Sequence, residues 1–275
     1  MRWGSAERTR REIFLSELEQ VVRWSALLTV IAPHYPKSGN RARQPYPLET
    51  MLCVHLMQQW CALSAPAMGE ALYDTPCRQF AHLSVLTDIP DETTILNFRR
   101  LLECNGLAAK IFAAMNAHLA KQQKTLRTGT IVDATIVNAP SSTKNSSRKR
   151  DPKMHQATKD NQWYFNMKTH IGVDADIGLV HTVTCMPASV ADVTQVDKLL
   201  HRKEKTVHGD AGNTGIGSHR EHDGRAVKQH IAERRSTAKK RPKGRLKRLT
   251  KELEMLKARL RTRVEHPFRV LKRQF

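Results

Sequence analysis

The sequence predicts an α/β protein in two parts: a helical, helix-turn-helix-like domain over 1–124, then a mixed-sheet domain over 125–275. Three observations carry that expectation. Apolar residues recur at helical spacing, between capping signals, as far as Lys121. The pattern then changes to short β-branched runs, beginning with TIVDATIV at Thr130 to Val137. From there the elements run strand, strand, strand, helix, strand, strand, helix, which suits an α/β layer rather than a bundle or a sandwich.

The helical part has readable boundaries. Leu48 to Trp60 places Leu48, Met51, Leu52, His55, Leu56 and Gln59 on one side, and Pro47 suits a helix start. Short segments follow at Pro66 to Tyr73 and Pro76 to Leu83. Asp91 can cap a helix over Glu92 to Cys104, Asn105-Gly106 ends it, and Leu107 to Lys121 forms one more. A plain helical packing domain fits this pattern as well as a helix-turn-helix does. In the second part, the polar, basic stretch 138–162 reads as a loop. Met167 to Val173 and Leu179 to Cys185 read as strands joined by an Asp- and Gly-bearing turn. Val190 to Leu200 reads as a helix capped at Ser189, Thr206 to His208 and Ala226 to Ala232 as strands, and the chain is helical again from Arg245.

Composition narrows the class. The 275 residues include 46 Lys and Arg against 26 Asp and Glu, a net charge of +20, and 40% are hydrophobic. That is enough apolar content for a folded core, so a disordered polybasic chain is excluded. No apolar run approaches the roughly 18 residues of a membrane span. The basic start, Met1 to Arg11, lacks an apolar stretch behind it, so the expected location is cytoplasmic, in association with the nucleoid. Cys53, Cys61, Cys77, Cys104 and Cys185 are an odd, scattered set that reads as reduced core residues. A folded chain this basic is expected to meet a polyanion, nucleic acid first. From Lys239 to Phe275 there are 15 Lys or Arg and 3 Glu. A smaller cluster, KNSSRKRDPK, contains Lys144, Arg148, Lys149 and Arg150. Both are candidate phosphate contacts.

In so basic a chain the informative residues are the acids. Asp133 sits inside TIVDATIV, where Asp is disfavoured and a buried carboxylate needs a partner or a metal. A strand-end Asp bonded to backbone is the alternative. Asp210 closes a short strand and opens the turn Gly209-Asp210-Ala211-Gly212-Asn213, where a ligand cleft or a simple turn are both open readings. Glu265 lies in the last helix, with Arg261 and Lys272 within roughly 40° of it around the axis. Beside them runs a stripe, Leu246, Leu249, Leu253, Leu256, Leu260, Val264, Phe268 and Leu271, that suits either a core face or a coiled-coil seam. Pro267 argues for a kink rather than a coiled coil. Three carboxylates from two strands and a late helix can hold two divalent cations, which favour oxygen ligands and serve phosphoryl transfer.

At these residues the sequence resembles the transposases of the IS5 group of bacterial insertion sequences, within the broader IS4-like DDE class. YPLETMLCVHLMQQWCALSAPAMGEALYDTPCRQF and IPDETTILNFRRLLE look like that group's helical DNA-binding region. IVDATIV, HGDAGNTG and the run from Arg261 to Arg273 match its catalytic motifs in order. The resemblance implies an RNase H-like catalytic domain in which Asp133, Asp210 and Glu265 bind Mg²⁺ at a two-metal site, with Mn²⁺ able to substitute. It implies Arg261 and Lys272 on DNA phosphates, with Lys144, Arg148, Lys149 and Arg150 as weaker contacts. It implies binding to terminal inverted repeats and target DNA, end hydrolysis and strand transfer, and a homodimer in the DNA complex. Two positions depart from the pattern: Ala258 and Asn213 stand where the family has tyrosine. The family's chains usually continue past the final Lys-Arg-Gln-Phe. The alternative expectation is therefore a C-terminally truncated, catalytically inactive DNA-binding remnant.

Other classes fare worse. A structural RNA-binding protein would explain the charge but not the three carboxylates. His219 and His222 lack partners at zinc-ligand spacing. There is no G-x-x-x-x-G-K-[ST] motif, so ATP use is not expected.

Overall fold

The computed structural model describes residues 8–37, 44–84, 88–122, 128–138, 143, 148–150, 154–159, 162–201, 203–216, 227–240 and 244–274. The chain forms two compact units, one of residues 1–118 with 273–275 and one of residues 119–272.

The first unit is helical. Its elements are α1 (Arg10–Val21), α2 (Trp24–Ile31), α3 (Leu48–Trp60), α4 (Ala65–Ala71), α5 (Thr75–Phe80), α6 (Glu92–Cys104) and the start of α7 (Leu107–Lys121). Local chemistry sets the starts. Thr9 and Glu12 form a reciprocal capping box on α1, and Ser64 caps α4 through the Ala67 amide. Asp91 accepts the Thr94 amide at 2.7 Å, as its place before α6 predicts. The sequence shows one apolar side on α3, but α3 is buried on more than one side. Cys53, Val54 and Met57 pack with Leu15, Met68 and Leu72, while Met51 and Leu52 pack with Leu27, Phe98 and Leu102. A helix between two clusters must be apolar on both flanks, which blurs its amphipathic signal.

The second unit is built on a mixed sheet of β1 (Gly129–Asn138), β2 (His155–Lys159), β3 (Gln162–Asp174), β4 (Val180–Pro187), β5 (Thr206–Gly209) and β6 (Lys228–Ile231). The order is β2-β3-β1-β5-β6, with β4 also paired to β3. β3 runs antiparallel to β1, β2 and β4, whereas β1, β5 and β6 are parallel. The β3–β4 turn is held by Asp174 Oδ1, which accepts the Asp176 and Ile177 amides at 2.9 and 3.1 Å. Gly178 closes that turn at φ +76°, a conformation that favours glycine. Helices cover both faces of the sheet. Ile131, Ile171 and Val173 pack on Val264 and Phe268 of α10 (Arg245–Gln274). Val132 and Val207, pointing the other way, pack on Val196 and Leu199 of α8 (Val196–Leu199).

Four sequence expectations need correction. The stretch 138–162 is not all loop, because β2 pairs with the first half of β3. HQATK is a polar segment without apolar alternation, so nothing in it signals a strand. Val190 to Leu200 is not one helix capped by Ser189. It is a 3-10 turn at Asp192–Gln195 running into α8, with Ala191 at the start and no side-chain cap. Asp192 bonds Lys168 of β3 at 3.0 Å, which holds this segment down on the sheet. The cysteines are not all core: Cys53 and Cys77 are buried, but Cys61, Cys104 and Cys185 are exposed. The last helix also divides. Val264 and Phe268 are buried, while Leu246, Leu249, Leu253 and Leu256 are 47–70% exposed. It runs unbroken through Pro267, whose missing N–H and ring would cost about 3 kcal/mol in an isolated helix. Val264 and Phe268, buried on either side of it, offset that cost. The short helix α9 (Arg235–Lys240) precedes α10. Among the described residues no helix is long and apolar enough to cross a membrane.

Candidate active site

Strand register brings Asp133 and Asp210 together. The last paired rung of the parallel pair β1–β5 is Ile131 with His208. Asp133 and Asp210 each lie two residues beyond it, on the same side of their strands as that rung. Asp133 faces α10, as Ile131 does. Its Oδ1 accepts its neighbour Ala134's amide at 2.8 Å, and its Oδ2 accepts Arg261 Nη2 at 3.1 Å. The pair is largely buried, with side chains 14% and 28% exposed. Burial pushes the Asp133 carboxyl up from its ordinary value, against the Arg261 charge and the Ala134 amide, and the Asp210 charge adds to the rise.

Asp210 is held by the turn it opens. It caps the 3-10 turn Ala211–Asn213, and its Oδ1 accepts the Gly212 amide at 2.9 Å and Asn213 Nδ2 at 2.8 Å. Asn213 is buried, and it packs so closely on Gly209 that a Cβ there would lie 3.2 Å from it. Oδ2 of Asp210 has no hydrogen-bond donor among the described residues. His208 and His230, from β5 and β6, stack at 5.0 Å between ring centroids next to this site. Burial, then the neighbouring His230, lower the His208 pKa, favouring the neutral ring.

The other predicted residues are placed differently. Glu265 is exposed on α10 with no ion pair or hydrogen bond among the described residues. It lies one helical turn beyond Arg261, so the arginine rather than the glutamate reaches Asp133. The expected three-carboxylate group is therefore not assembled, and the described residues contain no cluster of three or more His, Cys, Asp or Glu able to hold a metal ion. A half-buried carboxylate demands a counter-charge, and Arg261 supplies it. Lys272 is exposed. Arg150 lies over the Phe165 ring at 5.5 Å, and Arg148 has φ +48°. Lys149 is also exposed, whereas Lys144, His219 and His222 lie outside the described residues. The aspartate pair fits a hard divalent cation in part: both are oxygen donors, Asp133 within β1 and Asp210 just past the end of the adjacent β5, and Asp210 Oδ2 meets no donor among the described residues.

Sequence reading missed two side chains that shape this corner. Asn213 was visible only as a departure from a tyrosine, yet its amide orients Asp210. Asp192 sits beside Gly212, with its Oδ2 3.4 Å from where a Gly212 Cβ would be. The criterion that finds Asp133, a carboxylate among apolar residues, also finds Asp192 in SVADVTQV.

Residues 124–275 match the family model of the transposase DDE domain, and residues 5–101 match a transposase domain of the DUF772 type. A solved structure described as the piggyBac transposase synaptic complex with hairpin DNA is 12% identical, with a TM-score of 0.38 over 84% of this chain. A score that low does not establish a shared fold. The chain spans about half the length of that protein, 53%.

Proposed function

This chain belongs to the family of DDE-domain transposases, and we propose that it is the transposase of an IS5-group insertion sequence. In this reading it binds the terminal inverted repeats of its element, hydrolyses DNA at the element ends, and joins the freed 3′-hydroxyl to target DNA. The observation that carries it is the register that sets Asp133 of β1 and Asp210, just past the end of parallel β5, each two residues beyond the same rung. The sheet order, with antiparallel β3 beside a parallel β1-β5-β6 set, supports an RNase H-like catalytic domain.

Asp133, Asp210 and Glu265 would hold Mg²⁺, with Mn²⁺ able to substitute. When bound there, it would supply Lewis acidity for phosphoryl transfer. The chain does the rest. Gly212 and Asn213 keep Asp210 turned so that one oxygen stays available. Arg261 exchanges its bond to Asp133 for a DNA phosphate, which brings the same helix face, with Glu265, toward the strand ends. Lys272 and the Arg148 to Arg150 segment add phosphate contacts, and Lys144 is a further candidate. Helices α3 to α6 supply DNA recognition, and two copies act together on paired ends. The +20 charge supports strongly salt-dependent binding of this kind. Its workplace would be the nucleoid.

Asp133→Asn tests the reading. It should abolish Mg²⁺-dependent cleavage of a labelled terminal repeat while leaving repeat binding within a few-fold of wild type. Normal cleavage by that variant sinks the assignment. One observation favours a second reading, a DNA-binding protein that does not cut: Arg261, not Glu265, occupies the contact with Asp133. That reading expects the same salt-dependent binding and no cleavage by the unaltered chain.

A further inference from the structure

Asp192 and Lys168 form an ion pair next to the turn that carries Asp210. Lys168 Nζ lies 3.0 Å from Asp192 Oδ1 and 3.4 Å from the Val190 carbonyl, both side chains being largely buried. His170 Nδ1 lies 3.9 Å from the same Oδ1, and burial lowers that ring's pKa, favouring its neutral form, against the pull of Asp192. Asp192 Oδ2 points the other way. It lies 3.4 Å from the position a Gly212 Cβ would take, and Asp210 Oδ1 lies 3.1 Å from that same position. The two carboxylates are therefore no more than about 6.5 Å apart, the sum of those distances. Gly212 has no side chain to separate them, and its amide is the donor to Asp210 Oδ1.

We propose that Asp192 and Lys168 are positioning residues that set the cation affinity of Asp210 by charge, without ligating. Asp192 adds a negative charge behind Asp210, and Lys168 tempers it. This inference rests on the reading of Asp210 as a metal-binding carboxylate. Removing either partner leaves the other's charge unopposed, so the two substitutions act with opposite sign. Asp192→Asn exposes Asp210 to an unpaired Lys168 and weakens cation binding. Lys168→Met leaves Asp192 unpaired and strengthens it. The double variant restores the balance. A purely structural ion pair behaves differently: either substitution loosens the turn, and both weaken binding.

The test is Mn²⁺ binding to the full chain without DNA, followed by the free-ion electron paramagnetic resonance signal at pH 7.5, with thermal melting run beside it. Asp192→Asn should shift the Mn²⁺ dissociation constant roughly 5- to 10-fold, and Lys168→Met, whose charge lies farther off, roughly 3- to 5-fold. Those are the orders Coulomb's law gives for a unit charge acting on a divalent cation across about 6–7 Å and about 10 Å of water-like medium. The expected result is weaker binding for Asp192→Asn, tighter for Lys168→Met, and the double variant within about twofold of wild type. Shifts of the same sign, or no shift, overturn the proposal. If Asp192→Asn does not fold, Lys168→Met decides alone: tighter binding supports it, and equal or weaker binding overturns it. Wild-type Mn²⁺ binding that is absent, or unchanged by Asp210→Asn, overturns the metal-site reading itself and this inference with it.

Discussion

Arg261→Met probes the contact that organises the site. It keeps most of the side chain's volume and apolar stem and removes the charge from Asp133 Oδ2. At the observed 3.1 Å, Coulomb's law gives about 5 kcal/mol of attraction at an effective dielectric near 20. Much of that offsets the desolvation of two largely buried groups. Removing one partner leaves the other buried and unpaired, which in fully buried pairs costs about 3–5 kcal/mol. With the two side chains 14% and 28% exposed, about 2–3 kcal/mol is expected at pH 7. The pH dependence follows from the direction of the Asp133 shift. Its pKa is raised in the folded protein, so folding favours the protonated acid. That contribution is fully present below the unfolded value, about 4, and is lost as pH rises through the folded value. Without Arg261 the folded value rises further. The variant's deficit should therefore be largest at pH 7–8 and shrink on acidification toward pH 5. Urea denaturation across that range measures it, and Asp133→Asn in the same chain should recover most of the loss. A deficit independent of pH, or one that Asp133→Asn does not relieve, would refute the reasoning.

Two further expectations concern the frame. Asp91→Ala removes the side-chain acceptor for the Thr94 amide at the start of α6 and should cost about 1 kcal/mol, read from denaturant midpoints. Phe268→Ala empties a buried position against Ile131 and Ile171 and should cost about 3–4 kcal/mol, whereas Leu253→Ala, nearly half exposed on the same helix, should cost under about 1.

Local signals were legible where local chemistry decides the outcome. The bounds of α3, α6 and α7 could be read directly because a cap, a Gly stop or a Pro start marks each one. Asp133 and Asp210 stood out because a carboxylate in an apolar strand or a glycine-flanked turn needs a reason. Strand β2 was not legible, since its pairing with β3 is fixed by partner backbone rather than by its own polar side chains. The segment around Asp192 failed for a related reason. Val, Asp and Thr are modest helix formers, and a tertiary ion pair to Lys168 decides where it goes. Spacing correctly put Arg261 and Glu265 on one helix face. Which of them meets Asp133 depends on how far along the sheet α10 lies, and helical period carries no information about that. The apolar stripe likewise ran the length of α10 in sequence but is buried only where the sheet lies beneath it.

The strand register at the site also limits how this gene can change length. Asp133 and Asp210 are aligned because each follows the last shared rung by the same count of residues. One codon inserted between Ile131 and Asp133 would turn the carboxylate to the opposite face of the sheet, toward Val196 and Leu199. One deleted between His208 and Asp210 would remove the match just as completely. Between β1 and β2, the described residues pair with no strand. Insertions and deletions that spare function should therefore collect in that connection and be purged from a few codons on either side of the two aspartates.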